Sequence, residues 1–290
     1  MIVVRYTAAD PRGQANWFQH ELRSDDLVLI RECHTGGIVD ETLVPEQADG
    51  WSGIRYLLDG PVVARAPGRC VELRQGDAFA SSTVGTAPVR SLTMTTDVLH
   101  ILWRRDSSVG RSISSSAKLR FSPLTDASLR RVVAALAADD RNAPCPSTTV
   151  HEVLVALRAE GLPVTPPTVD WAHPTALEDH AVAHAIERVA FPLSSRPMSV
   201  DLARELGVGE HHALRRANQY FRRFHLCARS WREYLRGQRV ALGAFFMGRP
   251  EARTDRVARL LGFQSPTSFC HAFLAAGLAS PREVQRELLA

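Results

Sequence analysis

The sequence predicts an α+β protein of 290 residues, with a β-rich N-terminal part and an all-helical C-terminal part. From Ile2 to about Arg105, short apolar or alternating runs are separated by Gly, Pro and Asp, as in strands joined by turns. From about Leu177 onward, apolar residues recur at helical spacing. The intervening segment 163–175 is rich in proline, which excludes a continuous helix and predicts an extended interdomain linker.

The N-terminal part, residues 1–105, contains six segments that predict strands, and the Gln75-Gly76-Asp77 sequence predicts a turn between two of them. The predicted strands are Leu27–Ile30, Tyr56–Leu58, Pro61–Ala66, Cys70–Leu73, Ala78–Phe79 and Leu99–Trp103. Residues 106–162 follow this part, and two amphipathic helices are predicted there, over Leu129–Ala138 and Val150–Ala159. A further helix over Leu177–Val189 begins the C-terminal part, residues 176–290.

The segment Val257–Pro281 predicts a helix-turn-helix. Its first helix ends at Gly262, where a left-handed residue is favoured, and Ser265-Pro266 supplies an N-cap hydroxyl followed by proline at the first helical position. Phe269 and Phe273 lie four residues apart on the side predicted to be buried. The polar residues predicted to point outward, and to reach base edges and phosphates of DNA, are Gln264, Thr267, Ser268 and His271.

The same pattern occurs earlier, over Val200–Phe221. LARELGV at 202–208 matches VARLLGF at 257–263 in its apolar residues, Ala, Arg and Gly, which indicates a duplicated unit. Between the two copies, WREYLRGQRVALGAFF at 231–246 predicts a packed connecting helix. The chain therefore contains two predicted helix-turn-helix units joined by a long helix.

The register of the first unit has two solutions. Alignment on its glycine places His211 and His212 at the reading positions, whereas alignment on Phe221-Arg222-Arg223 places Arg215, Asn218 and Gln219 there. Helical periodicity leaves the arginine-rich face outside, and arginine and glutamine suit bidentate contacts with guanine and adenine. The alternative is that this face is solvated or touches only phosphate. The predicted readers are His212, Arg215, Arg216 and Gln219.

Two tandem units of this kind resemble the DNA-binding domain of the AraC/XylS family of bacterial transcription regulators. The second unit carries the family's G-F-x-S-x-x-x-F-x-x-x-F run followed by Ser280-Pro281, and the connecting helix carries Ser230, Tyr234 and Leu235 of the S-P-x-x-Y-L pattern. Trp231 replaces the proline of that pattern, and the first unit is longer than usual. The resemblance covers about the last third of the chain.

A second, local resemblance concerns LLDGPVVARAPGRCVELRQGDAF at 57–79, which is similar to a segment of the cupin-like sensor domains that precede such readers. This resemblance implies that residues 1–105 form a small β-barrel whose mouth can hold a ligand. It also implies that the helices of 106–162 dimerise; the alternative is that they cover the N-terminal sheet. The residues that would bind an effector are not predicted.

The resemblance implies a sequence-specific regulator that binds double-stranded DNA as a homodimer, responds to a small-molecule effector, and contacts RNA polymerase if it is an activator. A constitutive DNA-binding protein, whose barrel only dimerises or docks a protein partner, is the alternative. The charge distribution favours a nucleic-acid partner in either case, because residues 196–290 carry 16 arginines against 8 acidic residues, a net charge of +8. The rest of the chain carries 19 basic and 23 acidic residues, a net charge of −4.

Composition and motifs argue against several other classes. His20, His34 and His100 are not paired at metal-ligand spacing, and no nucleophile triad or phosphate-binding glycine loop can be assembled, so no metal, cofactor or catalytic site is predicted. A DNA-repair enzyme with the same reader would need a zinc-bound cysteine cluster, and Cys33 and Cys70 are too few and too far apart. No segment is apolar enough to span a membrane, and the scattered cysteines suit a cytoplasmic protein.

Overall fold

The structure is a computed structural model of the chain. It describes residues 2–10, 12–40, 50–66, 68–82, 89–113, 117–137, 147–164, 177–191, 196–226 and 228–290. The predicted linker 163–175 lies outside the described residues except for its first two positions. Within the described residues the chain is an α+β protein with an antiparallel N-terminal part and a helical C-terminal part.

Within its described residues, the N-terminal part contains ten strands in two antiparallel sheets. They are β1 (Ile2–Ala9), β2 (Asn16–Arg23), β3 (Leu27–Thr35), β4 (Trp51–Asp59), β5 (Val62–Ala66), β6 (Arg69–Leu73), β7 (Asp77–Ser81), β8 (Val89–Ser91), β9 (Thr95–Arg104) and β10 (Ala117–Arg120). The larger sheet has the order β1-β2-β3-β9-β4-β7-β10, and the smaller has the order β6-β5-β8. A short helix, α1 (Ser108–Ser112), lies between β9 and β10.

The six predicted strands coincide with parts of β3, β4, β5, β6, β7 and β9, and Gly76 adopts the predicted turn with φ of 83°. The strands β1, β2, β8 and β10 were not predicted. The larger sheet extends beyond the predicted boundary at residue 105, because β10 pairs antiparallel with β7 after the chain has passed through α1. The N-terminal unit therefore includes part of the region assigned to 106–162.

One face of the larger sheet is covered by α2 (Pro123–Ala137) and α3 (Ser147–Ala159). Leu129, Val132 and Leu136 of α2 and Val153 and Leu157 of α3 are fully buried in one core with the sheet. The apolar faces of both helices are thus buried within this chain. This arrangement corresponds to the alternative in which the two helices cover the N-terminal sheet. The opposite face of the sheet packs against the smaller sheet through a separate apolar cluster.

The C-terminal part contains seven described helices. They are α4 (Leu177–Ala190), α5 (Ser199–Leu206), α6 (Glu210–Arg223), α7 (Trp231–Met247), α8 (Thr254–Leu260), α9 (Pro266–Leu274) and α10 (Pro281–Leu289). The predicted connecting helix corresponds to α7, and the predicted opening helix corresponds to α4. The pairs α5–α6 and α8–α9 are the two predicted helix-turn-helix units, with α7 between them in sequence.

The two parts share a hydrophobic core. Ile2, Val4 and Tyr6 of β1 are buried in one cluster with residues of the C-terminal helices, among them Phe221 and Phe246. The alternation of these three β1 residues explains the arrangement, because side chains two apart point to the same face of a strand. The C-terminal helices therefore pack directly on the edge of the larger sheet.

Candidate nucleic-acid interface

The second helix-turn-helix unit has the predicted geometry. Gly262 has φ of 73°, the left-handed conformation that ends a helix, and Pro266 occupies the first turn of α9. Phe269 and Phe273 are fully buried, and the centroids of their rings lie 4.7 Å apart. The other side of α9 is exposed, so this short amphipathic helix presents a polar face to solvent.

Four residues of this unit were predicted to point outward. Gln264, Thr267 and His271 are exposed, whereas Ser268 is half-buried. Ser268 donates its backbone N–H to the hydroxyl of Ser265 at 3.1 Å, and its own hydroxyl accepts the N–H of Ser265 at 3.1 Å. This reciprocal capping box uses the side chain of Ser268 to begin α9. Ser268 therefore positions the helix, whereas Thr267 and His271 lie on its exposed face and Gln264 is exposed in the turn before it.

The first unit ends its opening helix in the same way. Gly207 has φ of 63°, and α6 begins at Glu210 after the N-cap residue Gly209. Gly209 has no side chain, whereas the matching residue in the second unit is the capping Ser265. The turn in the first unit is one residue shorter than the turn in the second, when both are measured from the glycine to the N-cap.

The helix starts give one alignment of the two units. When α6 and α9 are aligned on their N-caps, His211, His212 and Arg215 occupy the positions of Thr267, Ser268 and His271, respectively. All three α6 residues are exposed. This alignment differs by one residue from the alignment on the glycines, and it includes His211, which the predicted set of readers omits. Gln219 is also exposed, one turn beyond Arg215 on the same side of α6.

Arg216 has a different environment from the other predicted readers. In the N-cap alignment it matches the buried Ala272, and its side chain is only 24% exposed. Its guanidinium lies 3.4 Å from the carboxylate of Glu178 in α4. Further along α6, Arg223 contacts Asp179 of α4, and it also lies 3.4 Å from Asp25 of the N-terminal part. These arginines hold α6 against its neighbours.

The connecting helix α7 supports both units. The ring of Phe221 in α6 stacks on that of Tyr234 in α7, with centroids 5.0 Å apart. Near the other end of α7, Gly243 is buried against Phe269 and Phe273 of α9. The absence of a side chain at Gly243 allows α9 to approach α7 closely. The relative placement of the two exposed polar faces therefore depends on packing against a single helix.

Polar contacts join the C-terminal end of α7 to the N-terminal part. The guanidinium of Arg249 donates hydrogen bonds to Asp10 and Gln14, each at 2.8 Å, and its side chain is 9% exposed. Burial would raise the pKa of Asp10, but its hydrogen bond and charge interaction with Arg249 lower that pKa below its usual value. The carboxylate is thus kept ionised. Close by, the N–H of Ile38 donates to the carbonyl of Gly248 at 3.0 Å.

A cavity lies between the two sheets of the N-terminal part. Its empty volume is about 670 Å³, part of which is open to solvent. Six aliphatic residues line it, together with a polar group drawn mainly from β3, β4 and β9. The aliphatic residues are Val39, Leu57, Val62, Leu73, Val89 and Val98, and the polar residues are Glu32, His34, Arg55, Ser91, Thr96 and His100.

Strand pairing brings the polar residues together. His34 lies opposite Thr96 in the β3–β9 pair, and Arg55 lies opposite His100 in the β4–β9 pair. His34, Arg55, Thr96 and His100 are all at least nine-tenths buried. Neither ring nitrogen of His34 has a hydrogen-bond partner among the described residues, and the same holds for the hydroxyl oxygen of Thr96.

Burial sets the charge state of the two cavity histidines. It lowers the pKa of His34 to about 4. Burial, together with the positive charge of Arg55, lowers the pKa of His100 to about 3. Both imidazoles are therefore neutral near pH 7. Glu32 lies closer to the surface and accepts the indole N–H of Trp17 at 2.9 Å.

The cavity also adjoins the connecting helix. The ring of His34 meets the ring of Phe245 in α7 edge-on, with centroids 5.7 Å apart. Val39 lines the cavity directly after Ile38, whose backbone is bonded to Gly248. One buried histidine and one loop therefore touch both the cavity and α7. This site cannot be predicted from the sequence, because its residues are distant in sequence and carry no motif.

No group of three or more His, Cys, Asp or Glu residues within the described ranges is arranged to hold a metal ion. Among the helices that the structure describes, none is both long enough and apolar enough to cross a membrane.

Comparisons with known proteins gave structural similarities only. No protein-family model and no curated protein sequence matches this chain. The AraC-like transcriptional activator CuxR is 14% identical over 85% of this chain and 88% of its own, with a TM-score of 0.36. ToxT from Vibrio cholerae O395 is 13% identical over 99% of this chain and 97% of its own, with a TM-score of 0.34. The EutQ protein of Clostridium difficile is 14% identical over 33% of this chain and 73% of its own, with a TM-score of 0.25. At these TM-scores the assignment of function depends on the residues described above.

Proposed function

We propose that this protein is a sequence-specific DNA-binding transcription regulator whose N-terminal part responds to a small molecule. The observation that carries the proposal is the pair of helix-turn-helix units on either side of α7, each with an exposed polar face at the start of its second helix. The net charge of +8 over residues 196–290 supports it, because neutralising DNA phosphates requires a local excess of cations.

The proposed base readers follow from exposure and helix position. In α9 and the turn before it they are Gln264, Thr267 and His271, and in α6 they are His211, His212, Arg215 and Gln219. Residues near the start of a recognition helix reach base edges in the major groove. Two such helices on one face of DNA would enter successive major grooves, with centres about 34 Å apart.

The proposed response to a small molecule uses the cavity and its contacts with α7. An effector can shift the equilibrium between two states only through a difference in its affinity for them. A molecule in the cavity would touch His34 and Val39, and both are coupled to α7 through Phe245 and Gly248. A shift of α7 would change the relative placement of α6 and α9, which both pack on it.

The remaining elements of the proposal concern partners. We propose that two copies bind two half-sites, since linkage between DNA-bound protomers would raise the effective concentration of the second one. If the protein is an activator, RNA polymerase is its further partner. The apolar faces of α2 and α3 are buried within the chain, so a dimer contact through these helices would use their exposed sides.

A selection experiment tests the DNA-reading proposal. Full-length protein is used to select sites from a random duplex library, and affinity is then measured by fluorescence anisotropy on the selected duplex and on a scrambled one. We expect Arg215→Ala to cost about 1–3 kcal/mol on the selected site and much less on scrambled DNA. Arg216→Ala, on the same helix but facing α4, is the matched control and should leave the preference between the two duplexes unchanged. Failure to enrich any sequence would refute specific DNA binding.

His271→Ala tests the second unit separately. The variant should relax the preference at one position of the selected site and keep the preferences at the others, because a base contact is local. An unchanged selection profile would remove His271 from the reading set. If the protein selects a DNA site but no compound alters its affinity, the constitutive DNA-binding alternative is favoured.

A further inference from the structure

We propose that the N-terminal sheet fixes the spacing between the two recognition helices, α6 and α9, and thereby the distance between the two DNA sequences that they read. The inference rests on the proposed function and extends it, because it gives residues that touch no base a role in DNA specificity. Its basis is that each helix-turn-helix unit is tied separately to the sheet, at opposite ends of β2.

The first connection is made by the residue that follows α6. His225 has φ of 50°, a left-handed conformation that residues other than glycine rarely adopt. Its N–H donates to the carbonyl of Arg222 at 3.3 Å. The N–H of Leu226 donates to the carbonyl of Phe221 at 2.9 Å, which completes a Schellman motif. Glycine is favoured at this position of the motif, so a histidine held there indicates a function of its side chain.

The ring of His225 lies against the N-terminal part. The guanidinium of Arg104, at the end of β9, donates to Nε2 of His225 at 2.7 Å, because a guanidinium carries no acceptor. The ring of Trp51 meets the imidazole edge-on, with centroids 6.4 Å apart. Burial and the positive charge of Arg104 lower the pKa of His225, so its ring is neutral near pH 7 and can accept this hydrogen bond. The residue with the left-handed backbone is therefore also the one that joins α6 to the sheet.

An ion pair lies beside this contact. Arg223 of α6 is 3.4 Å from Asp25, in the turn between β2 and β3. The N–H of Arg104 donates to the carbonyl of Asp26 in the same turn at 3.2 Å. The partners of α6 thus belong to one hydrogen-bonded corner of the sheet. The ion pair is exposed and weak by itself, but it acts at the same place as the contact of His225.

The second connection lies at the other end of β2. Arg249, in the loop before α8, donates to Asp10 and Gln14 between β1 and β2, at 2.8 Å each. Arg90 of β8 donates to the carbonyl of Leu288 in α10 at 3.0 Å and ties the same unit to the smaller sheet. The eight residues of β2 separate the two turns by about 25 Å, since a strand rises about 3.4 Å per residue. Hydrogen bonds to β1 and β3 along its length make β2 a stiff spacer.

Two parallel connections therefore join the units. The first is α7, on which both α6 and α9 pack. The second runs through β2 and opposes rotation of either unit about its packing contact with α7. The recognition helices should then match one separation of the two DNA sequences, because each added base pair shifts the second sequence by about 3.4 Å and rotates it by about 34°.

The experiment measures spacing preference separately from base preference. Affinity of full-length protein is measured by fluorescence anisotropy on the selected duplex. It is also measured on duplexes with one or two base pairs added or removed between the two sequences that are read. Wild-type protein should lose at least about fivefold in affinity at each altered spacing, the value of one good base contact. Equal affinity for the selected and altered spacings would overturn the inference.

Two variants identify the positioning residues. His225→Gly removes the ring and retains a residue suited to the left-handed helix end, so it should select the same bases as wild type. Its affinity loss at altered spacings should be at least about twofold smaller than that of wild type. Asp25→Asn, a surface change that removes a partner of Arg223, should act in the same direction. Asp26→Asn makes the same charge change in the same turn and should keep the wild-type spacing preference, because within the described residues Asp26 forms no ion pair with α6.

The outcomes distinguish this inference from the proposed function. If no DNA sequence is enriched, the proposed function fails. If wild-type protein selects two read sequences, and both His225→Gly and Asp25→Asn discriminate between spacings as strongly as wild type, DNA reading stands and the role of the sheet is refuted. A selected site with a single read sequence would also refute that role and leave DNA binding intact.

Discussion

The contact between α7 and α9 gives a sharp test of how the second unit is positioned. In Gly243→Ala, the new Cβ atom would lie 2.8 Å from a ring carbon of Phe269 and 2.9 Å from one of Phe273. Favourable carbon–carbon contacts are about 3.5–4.0 Å, so both rings would have to move. They cannot move freely, because Phe269 also packs on Phe263 with ring centroids 5.0 Å apart.

The magnitude follows from two opposing effects. Overpacking of a close-packed core costs about 1–3 kcal/mol. Replacing glycine by alanine inside a helix stabilises the helix by about 0.5–1 kcal/mol. Gly243→Ala should therefore change the free energy of unfolding by between about 0 and −2.5 kcal/mol. Gly237→Ala is the matched control, because it lies in the same helix and a Cβ atom there meets no described atom within 4 Å.

The assay is urea unfolding of both variants together with DNA affinity on the selected site. Gly237→Ala should be more stable than wild type by about 0.5–1 kcal/mol and should bind DNA normally. Gly243→Ala should be less stable than Gly237→Ala by about 1–3 kcal/mol. It should also bind DNA more weakly, because the displaced rings shift the position of α9 relative to α7. Equal stability of the two variants would refute the packing argument.

Three further predictions concern the domain contact, pH and helix capping. Arg249→Met should destabilise the protein by about 1.5–3 kcal/mol, because the carboxylate of Asp10, which is 15% exposed, loses its charged hydrogen-bond partner. Asp10→Asn should recover part of this loss, and a double-mutant coupling energy near zero would contradict the ion pair. The free energy of unfolding should fall as the pH drops below about 6.5, because the histidines of the unfolded chain then bind protons. The fall should continue to a pH of about 4 for His34 and about 3 for His100, because each binds a proton in the folded protein only near that pH. His100→Gln should reduce this slope in urea titrations across the pH range, and an unchanged slope would exclude His100 as a cause. Ser265→Ala should cost about 1 kcal/mol by removing the N-cap of α9, and a loss near zero would show that the capping box contributes little.

The second helix-turn-helix unit could be predicted from sequence because its determinants are local. Gly262, Ser265 and Pro266 specify a helix end, a cap and a helix start within a few residues. The sequence gives two registers for the first unit, because Gly209 provides no side-chain cap to mark the start of α6. The sequence also could not place Arg216, because its contact with α4 depends on tertiary packing.

A similar explanation holds for the cavity and for the strands that the sequence does not predict. Polar residues on β2, such as Glu21 and Arg23, do not resemble a buried strand, yet they form an ion pair at 2.6 Å and are buried. His34 and His100 are far apart in the sequence, and only the pairing of β3 with β9 and of β9 with β4 brings both to one cavity. Sequence periodicity assigns residues to a face of an element, but strand order determines which faces meet.

The packing of β1 into the C-terminal core also has a consequence for folding. Ile2, Val4 and Tyr6 are synthesised long before α9 and α10, which belong to the same core. The two parts should therefore unfold as one cooperative unit, with a single calorimetric transition. Separated from the sheet, residues 177–290 would expose the apolar surface that β1 covers. The N-terminal and C-terminal parts should thus be thermodynamically coupled, so that a destabilising substitution in either part lowers the stability of both.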